Sequence, residues 1–437
     1  MIVVGGGLAG AEAAWQAAER GIEVILYEAR PAYQDGAHVT ADLAEVVCSN
    51  SFGSNDPLSA PGLLKSELRL LRSLVIETAD MFSVPAGSAL AIDRVLFSRE
   101  MTRRIESHPK ITLLREELKE IPSERPLIIA TGPLTSPPLA EALARETESD
   151  RLYFYDAISP IIDAESIDRT VAFRASRYEK GEGDYLNCPM TEAEYRFFYE
   201  ALRSGEKVPS KSFEDAAYFE GCMPIEVLAE RGFQTPLFGP MKPVGLTDPR
   251  DGRQPFAVVQ LRKEDRYGTS YNMVGFQTKL KYPDQKAVFR LIPGLGKAEF
   301  FRLGSLHRNT FIHSPSLLSP FLHLRKDPGL FIAGQMTGVE GYMESAAMGL
   351  LAGIHASRDL MGEDRTLPPP ESAMGSLVKY LTESDSRHFQ PMNINFGLFP
   401  PLTPPVKQKD QRKKKMIERA IEEMGRWIRK SDLLKGF

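Results

Sequence analysis

The chain has 437 residues with 42% hydrophobic residues, 26% charged residues and a formal net charge of −4, a composition typical of soluble globular proteins and not of disordered or fibrous ones. A chain of this length is too long to form one ordinary hydrophobic core, so we expect two domains or a domain with a large insertion. No apolar run reaches membrane-spanning length, no signal peptide is visible, and three dispersed cysteines and seven histidines form no ligand-spaced group, so we expect a cytoplasmic protein without membrane contact, disulfide framework or metal.

The chain begins with a strand–helix–strand pattern. A short apolar strand at 2–4 runs directly into a glycine-rich turn, which is followed by an alanine-rich helix at 11–20 and a second strand at 22–27. The second strand ends at Glu28, 18 positions after Gly10. In such a βαβ unit a glycine-rich fingerprint indicates dinucleotide binding. The fingerprint residues are Gly5, Gly6, Gly7, Leu8, Ala9 and Gly10.

Each part of this fingerprint has a physical task. Gly5 permits the tight turn, Gly7 lets a pyrophosphate approach the backbone, and Gly10 lets the helix pack closely against the strand. The unpaired N–H groups at the start of the helix attract the diphosphate. Glu28 is expected to accept hydrogen bonds from the adenosine ribose hydroxyls. Together these parts predict a dinucleotide site.

Later segments favour FAD as the dinucleotide. One buried strand ends in Gly132, and another ends in Gly334 and precedes a helix of small residues at 345–356. These strand ends are similar to those of two-dinucleotide-fold flavoproteins. In that group the N-terminus of the last helix, here near Glu344, points at the flavin and stabilises negative charge on the reduced ring. The small residues of this helix also suit close helix packing.

The alternation of helices and strands is interrupted once. From about Arg151 the sequence contains more aromatic residues, more prolines and scattered short strands, and the alternation resumes near Leu330. We therefore predict an α/β fold, with a two-dinucleotide-fold (Rossmann-like) FAD-binding domain that carries an inserted mixed α/β domain. The predicted segments are 1–150 and 325–402 for the FAD-binding domain, 151–324 for the insertion, and 403–437 for a C-terminal tail helix.

The C-terminal tail is basic. From Val406 to Phe437 there are eleven Lys and Arg against five Asp and Glu, so the tail carries +6 and the rest of the chain −10. A basic tail on an acidic body favours a polyanionic partner. A solvated amphipathic helix is an equally good interpretation of this feature alone.

Five sequence blocks carry a more specific resemblance. They are similar to segments of the folate- and FAD-dependent tRNA (uracil-5-)-methyltransferases, the TrmFO family, and the similarity extends from Ile2 to about Pro401. The blocks are Glu45-Val-Val-Cys-Ser-Asn-Ser51, Tyr185-Leu-Asn-Cys-Pro-Met190, Phe238-Gly-Pro-Met-Lys-Pro-Val-Gly245, His307-Arg-Asn-Thr310 and Gly338-Val-Glu-Gly-Tyr342.

The resemblance implies that 5,10-methylenetetrahydrofolate gives one carbon to uridine 54 in the T-loop of tRNA, and that reduced FAD, regenerated by NAD(P)H, completes the methyl group. The two cofactors are complementary, because the methylene carbon is two electrons short of a methyl group and a reduced flavin can deliver a hydride. Only one dinucleotide fingerprint is present, so the route by which a nicotinamide reaches the flavin is not visible in the sequence.

Uracil C5 is a poor nucleophile until a group adds at C6, and a cysteine thiolate suits that addition. By resemblance, Cys222 is the nucleophile, and Cys48 lies in a loop beside the flavin, where it shields or positions the ring and the one-carbon unit. Cys188 is expected to be a buried, inert residue.

Other candidate residues follow from the same resemblance. The base that removes the C5 proton is Glu340, Glu344 or His307, and the sequence does not choose among them. Tyr342 is expected to stack on the pterin, Glu340 to bind its amino-pyrimidine edge, and His307 and Arg308 to contact folate or substrate. Candidate phosphate contacts in the insertion are Arg262, Lys263, Arg266, Lys279 and Lys281, although each alone could be a solvated surface charge.

Alternative functions remain open at the level of sequence. The same chemistry could act on a ribosomal RNA uridine, or the chain could be a related FAD-dependent enzyme that modifies the wobble uridine of tRNA. An RNA-binding flavoprotein without catalysis is disfavoured by the two cysteines, and a small-molecule flavin oxidoreductase is disfavoured by the basic tail.

Overall fold

The computed structural model describes residues 1–148, 152–179, 183–208, 223–386 and 389–434, without the side chains of 152–157, 179 and 306–309. The strands are β1 (Ile2–Val4), β2 (Val24–Glu28), β3 (Ser51–Ser54), β4 (Ser83–Val84), β5 (Ala89–Ile92), β6 (Ile111–Arg115), β7 (Leu127–Ile129), β8 (Leu152–Ala157), β9 (Ile161–Asp163), β10 (Phe173–Ala175), β11 (Tyr185–Met190), β12 (Ala257–Lys263), β13 (Ser270–Met273), β14 (Phe300–Arg302), β15 (Leu306–Phe311), β16 (His323–Leu324) and β17 (Asp327–Ile332). The helices are α1 (Leu8–Glu19), α2 (Ala60–Leu70), α3 (Leu74–Met81), α4 (Arg94–Ser107), α5 (Pro137–Thr147), α6 (Glu192–Ser204), α7 (Ile225–Glu230), α8 (Thr235–Phe238), α9 (Tyr282–Phe289), α10 (Ser314–Leu317), α11 (Tyr342–Met361), α12 (Ala373–Glu383) and α13 (Lys409–Lys430).

The first sheet has six strands in the order β16-β17-β7-β1-β2-β6. All neighbours are parallel except β16 and β17, and Val3 of β1 aligns with Leu26 on one side and Ile128 on the other. These strands are short, continuous apolar runs because both faces of a parallel sheet are covered. Strand β1 lies inside the sheet and leads into α1, so the glycine turn lies at the carboxyl edge, where doubly wound folds bind ligands. The predicted α/β, Rossmann-like architecture is confirmed.

Helices α1 and α11 pack directly on each other. A methyl group on Gly349 would collide with the backbone of Ala9, and one on Gly353 would collide with the backbone of Ala13. The small residues of α11 therefore bring two helix backbones into contact. Both helices begin at the carboxyl edge of the first sheet, so their N-termini lie side by side.

The second sheet is antiparallel, in the order β10-β11-β12-β13-β9-β14. Its strands fall between β7 and β17 of the first sheet in chain order. It has its own core, in which α6, α7 and α9 contribute Tyr195, Phe198, Ala229 and Phe289. The separate ladder β8–β15 joins the two parts, since the N–H of Thr310 bonds to the carbonyl of Pro133 at 2.9 Å. His323, which the predicted boundary assigns to the insertion, pairs with Phe331 in the first sheet.

Helix α13 packs on the part of the protein that contains the first sheet. Its apolar face is buried in the first core and consists of Met416, Ala420, Met424, Trp427 and Ile428. Beyond its C-terminus, the carbonyl of Leu433 accepts a bond from Arg20 at 2.7 Å, and that of Ser431 accepts one from Arg358 at 2.9 Å.

Arg20 caps the end of α1, and Arg358 lies in the last turn of α11. The C-terminal end of α13 therefore lies next to the C-terminal ends of α1 and α11. No helix among the described residues is long and apolar enough to cross a membrane.

Candidate functional site

The fingerprint turn has the geometry that its glycines predict. Gly5 has φ +103°, and its N–H bonds to the carbonyl of Tyr27 at 2.8 Å. A side chain on Gly5 would lie 2.6 Å from the carbonyl oxygen of Ala130, and one on Gly10 would collide with the carbonyl of Gly5. Protein packing alone thus requires glycine at positions 5 and 10.

Gly7 differs, because a methyl group there would meet nothing within 4 Å. It is the N-cap of α1, with Leu8, Ala9 and Gly10 in the first turn, and no side chain caps this helix. Open space in front of an uncapped helix N-terminus is what a diphosphate needs. The missing side chain at Gly7 has no explanation in protein packing and fits the close approach of a ligand.

Glu28 is buried at the end of β2. Its carboxylate accepts bonds from the N–H of Gly6 at 2.8 Å and from the guanidinium of Arg30 at 2.9 Å, and Arg30 also pairs with Glu45 at 3.1 Å. Burial raises the pKa of Glu28, but the bonds and charge of Arg30 and the Gly6 N–H outweigh it, so the pKa lies below its ordinary value. The charged carboxylate lines a cavity of about 80 Å³ together with the glycine turn and Thr131.

A second cavity, of about 380 Å³, lies at the N-terminus of α11. It shares Leu134 with the smaller cavity, so the two adjoin. Its walls come from the loop before β3, the start of α2, and the segment before α11. The residues that bear on the chemistry are Cys48, Lys65, Gln277, Glu340, Tyr342 and Glu344.

Cys48 and Tyr342 are in direct contact. The Sγ atom of Cys48 lies 2.9 Å from the Oη atom of Tyr342, and Oη also accepts bonds from the N–H groups of Val47 at 3.1 Å and Cys48 at 3.0 Å. A phenol oxygen has two lone pairs and one proton. Since both lone pairs are used, the proton is directed at the sulfur. Burial and the neighbouring sulfur raise the pKa of Tyr342 well above its ordinary value, so the phenol keeps this proton.

Three arginines from other parts of the fold hold the loop that carries Cys48. Arg302 donates to the carbonyl of Val47 at 3.1 Å, and Arg94 donates to that of Val46 at 3.3 Å. Arg262 donates to Ser49 Oγ at 2.7 Å and to Asn50 Oδ1 at 2.9 Å. All three guanidinium groups also interact electrostatically with Cys48.

The prediction that Arg262 contacts phosphate is wrong. Its side chain is buried between the second sheet and the Cys48 loop, where it bonds to protein atoms. Of the other candidates, Arg266 and Lys281 are exposed, Lys263 and Lys279 are half-buried, and Lys281 pairs with Glu206 at 2.9 Å.

Lys65 and Glu344 both line the larger cavity, and the two groups interact electrostatically. Lys65 on α2 is fully buried, and its Nζ atom donates to the carbonyls of Ser54 at 2.8 Å and Pro61 at 3.3 Å. Burial lowers the pKa of Lys65 to about 8, against a smaller opposing effect of Glu344. Burial raises the pKa of Glu344, which accepts a bond from the N–H of Ile394 at 3.1 Å. Sequence reasoning missed Lys65.

The remaining predicted residues have distinct positions. Gly132 follows β7 with φ +72°, and Gly334 has φ +76° and packs against Ala9. Glu340 is buried, and its Oε2 atom accepts from Gln335 at 2.8 Å. Cys188 is fully buried, and burial raises its pKa to about 12.

Three predicted residues fall wholly or partly outside the described part. Cys222 lies outside the described residues, as do the side chains of His307 and Arg308, whose backbone belongs to β15. The described chain that follows Cys222 reaches the cavity, since the N–H of Ile225 bonds to the carbonyl of Gln277 at 2.7 Å. Among the described residues, no group of His, Cys, Asp and Glu is arranged to hold a metal ion.

Comparison with known proteins identifies close relatives. The profile of a family described as glucose inhibited division protein A matches residues 1–364. The chain is 58% identical over 433 residues to a methylenetetrahydrofolate--tRNA-(uracil-5-)-methyltransferase TrmFO from Heliobacterium modesticaldum, covering 99% of both chains. A protein of the same name from Geobacter sulfurreducens is 58% identical, and the match covers 98% of both chains. Another, from Aquifex aeolicus, is 55% identical, and the match covers 99% of this chain and 97% of the relative.

Among solved structures, GidA of Aquifex aeolicus superposes with a TM-score of 0.68 at 17% sequence identity. The match covers 99% of this chain and 75% of the GidA chain. At this level of identity the match establishes the fold alone. The TrmFO proteins, in contrast, are matched over almost their whole length.

Proposed function

The chain belongs to the glucose inhibited division protein A family and, within it, to the TrmFO methyltransferases, and on this basis we propose that it methylates C5 of a uridine in tRNA. The carbon comes from 5,10-methylenetetrahydrofolate, and the target is uridine 54 of the T-loop. Reduced FAD, regenerated by NAD(P)H, supplies the hydride that turns the transferred carbon into a methyl group. The observation that carries the proposal is the pair of adjoining cavities, which joins the glycine turn to Cys48 and the start of α11.

The residues present fit FAD. Gly7 leaves space in front of α1 for a diphosphate, and the charged carboxylate of Glu28 lies in the same small cavity for a ribose. Leu134 adjoins the larger cavity, whose floor is the uncapped N-terminus of α11 at Gly341. The partial positive charge of that terminus suits a ring that becomes negative on reduction. A flavin bound there supplies a hydride within the same cavity as Cys48.

We assign nucleophilic addition at uracil C6 to Cys222 by resemblance. The thiolate forms a bond to C6, and the electron pair of the C5–C6 double bond moves to C5. C5 then bonds to the methylene carbon while one C–N bond of the folate breaks and its electron pair stays on the nitrogen. A base takes the C5 proton as the second C–N bond breaks, and a hydride from the reduced flavin would convert the resulting exocyclic methylene into the methyl group as the thiolate leaves C6. Cys222 lies three residues before Ile225, which is bonded to the cavity wall at Gln277.

Cys48 has a different part in this proposal. Its contact with Tyr342 and the three arginines around its loop fix the sulfur at the cavity wall and favour the thiolate. This arrangement suits shielding or positioning of the ring and the one-carbon unit. Glu340 and Glu344 line the same wall and are candidates for the base and for folate binding. His307 and Arg308, whose backbone belongs to β15, are further candidates for these roles.

The RNA is expected to bind a basic surface at the start of α13. Lys407, Lys409, Arg412, Lys414 and Lys415 are exposed there. Phosphate contacts of this kind add affinity without reading sequence.

The reaction is tested with purified protein, FAD, NADPH, methylenetetrahydrofolate labelled in its methylene carbon, and unmodified tRNA and ribosomal RNA. Label in 5-methyluridine at tRNA position 54 supports the proposal, whereas label in ribosomal RNA selects the alternative substrate. Modification of the wobble uridine instead would assign the chain to the other flavoprotein activity. Covalent capture of RNA that contains 5-fluorouridine should be lost in Cys222→Ala and retained in Cys188→Ala.

A further inference from the structure

The larger cavity holds one buried cation whose role the reaction above leaves open. Lys65 lies in the middle of α2 with its side chain fully buried, and it is among the largest side chains enclosed in the protein. Two backbone carbonyls, of Ser54 and Pro61, accept bonds from its Nζ atom. A lysine ammonium has three donors, so these two bonds do not use all of them.

Burying a lysine without a carboxylate bonded to it costs stability. The carboxylate with the largest electrostatic effect on Lys65 is Glu344, in the first turn of α11. Both residues line the cavity, so the ammonium lies near the N-terminus of this helix. The pKa of about 8 leaves Lys65 mostly protonated at pH 7, and burial raises the pKa of Glu344 above its ordinary value. Lys65 therefore contributes a positive charge to the cavity wall.

We propose that Lys65 is a flavin-contacting residue that stabilises the negative charge of the reduced ring and so sets the reduction potential of the bound FAD. The inference rests on the proposed function only in that FAD occupies the larger cavity. An ammonium and a helix N-terminus would then both act on a ring bound in this cavity. Both interactions are stronger with the reduced anion than with the neutral oxidised ring, so they favour reduction.

The test measures the two-electron potential of the holoprotein at pH 7 by equilibration with a reference dye. In Lys65→Met the preference for reduced over oxidised flavin should fall at least tenfold, which lowers the potential by about 30 mV. Lys65→Arg keeps the charge and should recover most of the loss. Arg69→Met, on the same helix but paired with Asp80 near the surface, is the matched control and should leave the potential unchanged.

A second measurement includes the wild-type holoprotein, so it tests the inference even where Lys65→Met fails to hold FAD. Sulfite adds through its lone pair to N5 of an oxidised flavin, and the electron pair displaced moves to the pyrimidine edge of the ring. The wild-type holoprotein should form this bleached adduct at millimolar sulfite, and Lys65→Met should form it at least tenfold more weakly. An unchanged potential in Lys65→Met, or a wild-type holoprotein that forms no adduct, would overturn the inference. A protein that binds no FAD at all would instead overturn the proposed function.

Discussion

The phenol oxygen of Tyr342 lies 2.9 Å from the sulfur of Cys48 and accepts two backbone N–H groups from the same loop. A single side chain at the start of α11 thus fixes the loop and directs a proton at the sulfur. The contact joins residues from opposite ends of the sequence at the wall of one cavity, and its chemical effect can be measured on Cys48 directly.

Tyr342→Phe removes the proton donor and leaves two N–H groups without their acceptor. Alkylation of Cys48 by iodoacetamide at pH 7 should slow about tenfold, because a hydrogen bond to a charged group contributes about 1.5–3 kcal/mol. Peptide mass spectrometry reports the rate at each cysteine separately. Cys188 is the internal control and should stay unmodified in the folded protein. An unchanged rate at Cys48 would contradict the proposed direction of the bond.

Replacing two glycines of the fingerprint by alanine should have different effects on stability and on FAD binding. Gly7→Ala places a methyl group in open space, so the unfolding free energy of the apoprotein should change by less than about 1 kcal/mol while FAD binding is lost. Gly10→Ala drives a methyl group into the carbonyl of Gly5 and should destabilise the apoprotein by about 1–3 kcal/mol. Urea unfolding and flavin absorbance separate the two effects. Full FAD binding by Gly7→Ala would count against the diphosphate site.

Arg262→Met tests the reassignment of this residue. Because its guanidinium bonds to Ser49 and Asn50 inside the protein, the variant should lose about 3 kcal/mol of stability. Its RNA affinity should keep the salt dependence of the wild type. If the variant instead has normal stability and its slope of log K against log salt falls by about 1, the original prediction of a phosphate contact is supported.

The start of α13 is tested by neutralising Lys409, Arg412, Lys414 and Lys415 to glutamine. The salt slope of tRNA binding should become shallower by about 0.9 for each phosphate that the protein no longer neutralises, and affinity at moderate salt should fall at least tenfold. The control neutralises four ion-paired residues elsewhere, Arg103, Lys110, Arg145 and Lys326. Equal slopes for the two variants would exclude this surface. Flavin content verifies that both variants fold.

Glu67 should make the free energy of unfolding of the protein depend on pH. It is fully buried on α2 and accepts the N–H groups of Ala373 and Met374, and burial raises its pKa from 4.5 to about 8. A raised carboxyl pKa favours the protonated folded state, so this contribution is complete below pH 4.5 and is lost as pH rises through 8. Relative to Glu67→Gln, the free energy of unfolding of the wild type should fall by about 3 kcal/mol between pH 4.5 and pH 7. Urea unfolding across this range measures the difference, and parallel curves would refute it.

The sequence predicted the nucleotide turn well, because its signal is local. Gly5, Gly10 and Glu28 act within one βαβ unit, whose spacing alone determines their geometry. Helix starts were less accurate: α1 begins at Leu8 and not Ala11, and α11 begins at Tyr342 and not Ser345. Each begins directly after a glycine N-cap that no side chain caps, so neither start carries the usual polar signal.

Residues whose role depends on distant partners were mispredicted or missed. Arg262 stands on a strand where an arginine usually faces solvent, but the Cys48 loop covers it from another part of the chain. Lys65 follows two leucines on an amphipathic helix, where a lysine ordinarily marks the exposed side. The carbonyls that accept its bonds come partly from β3, and no periodicity along α2 reveals them.

The contact of Gly349 and Gly353 with α1 has a consequence for biosynthesis. The turn that receives the diphosphate is translated before the insertion, yet the helix that supports it and lines the ring cavity is translated after the insertion. The complete cofactor site can therefore form only after α11 has been translated.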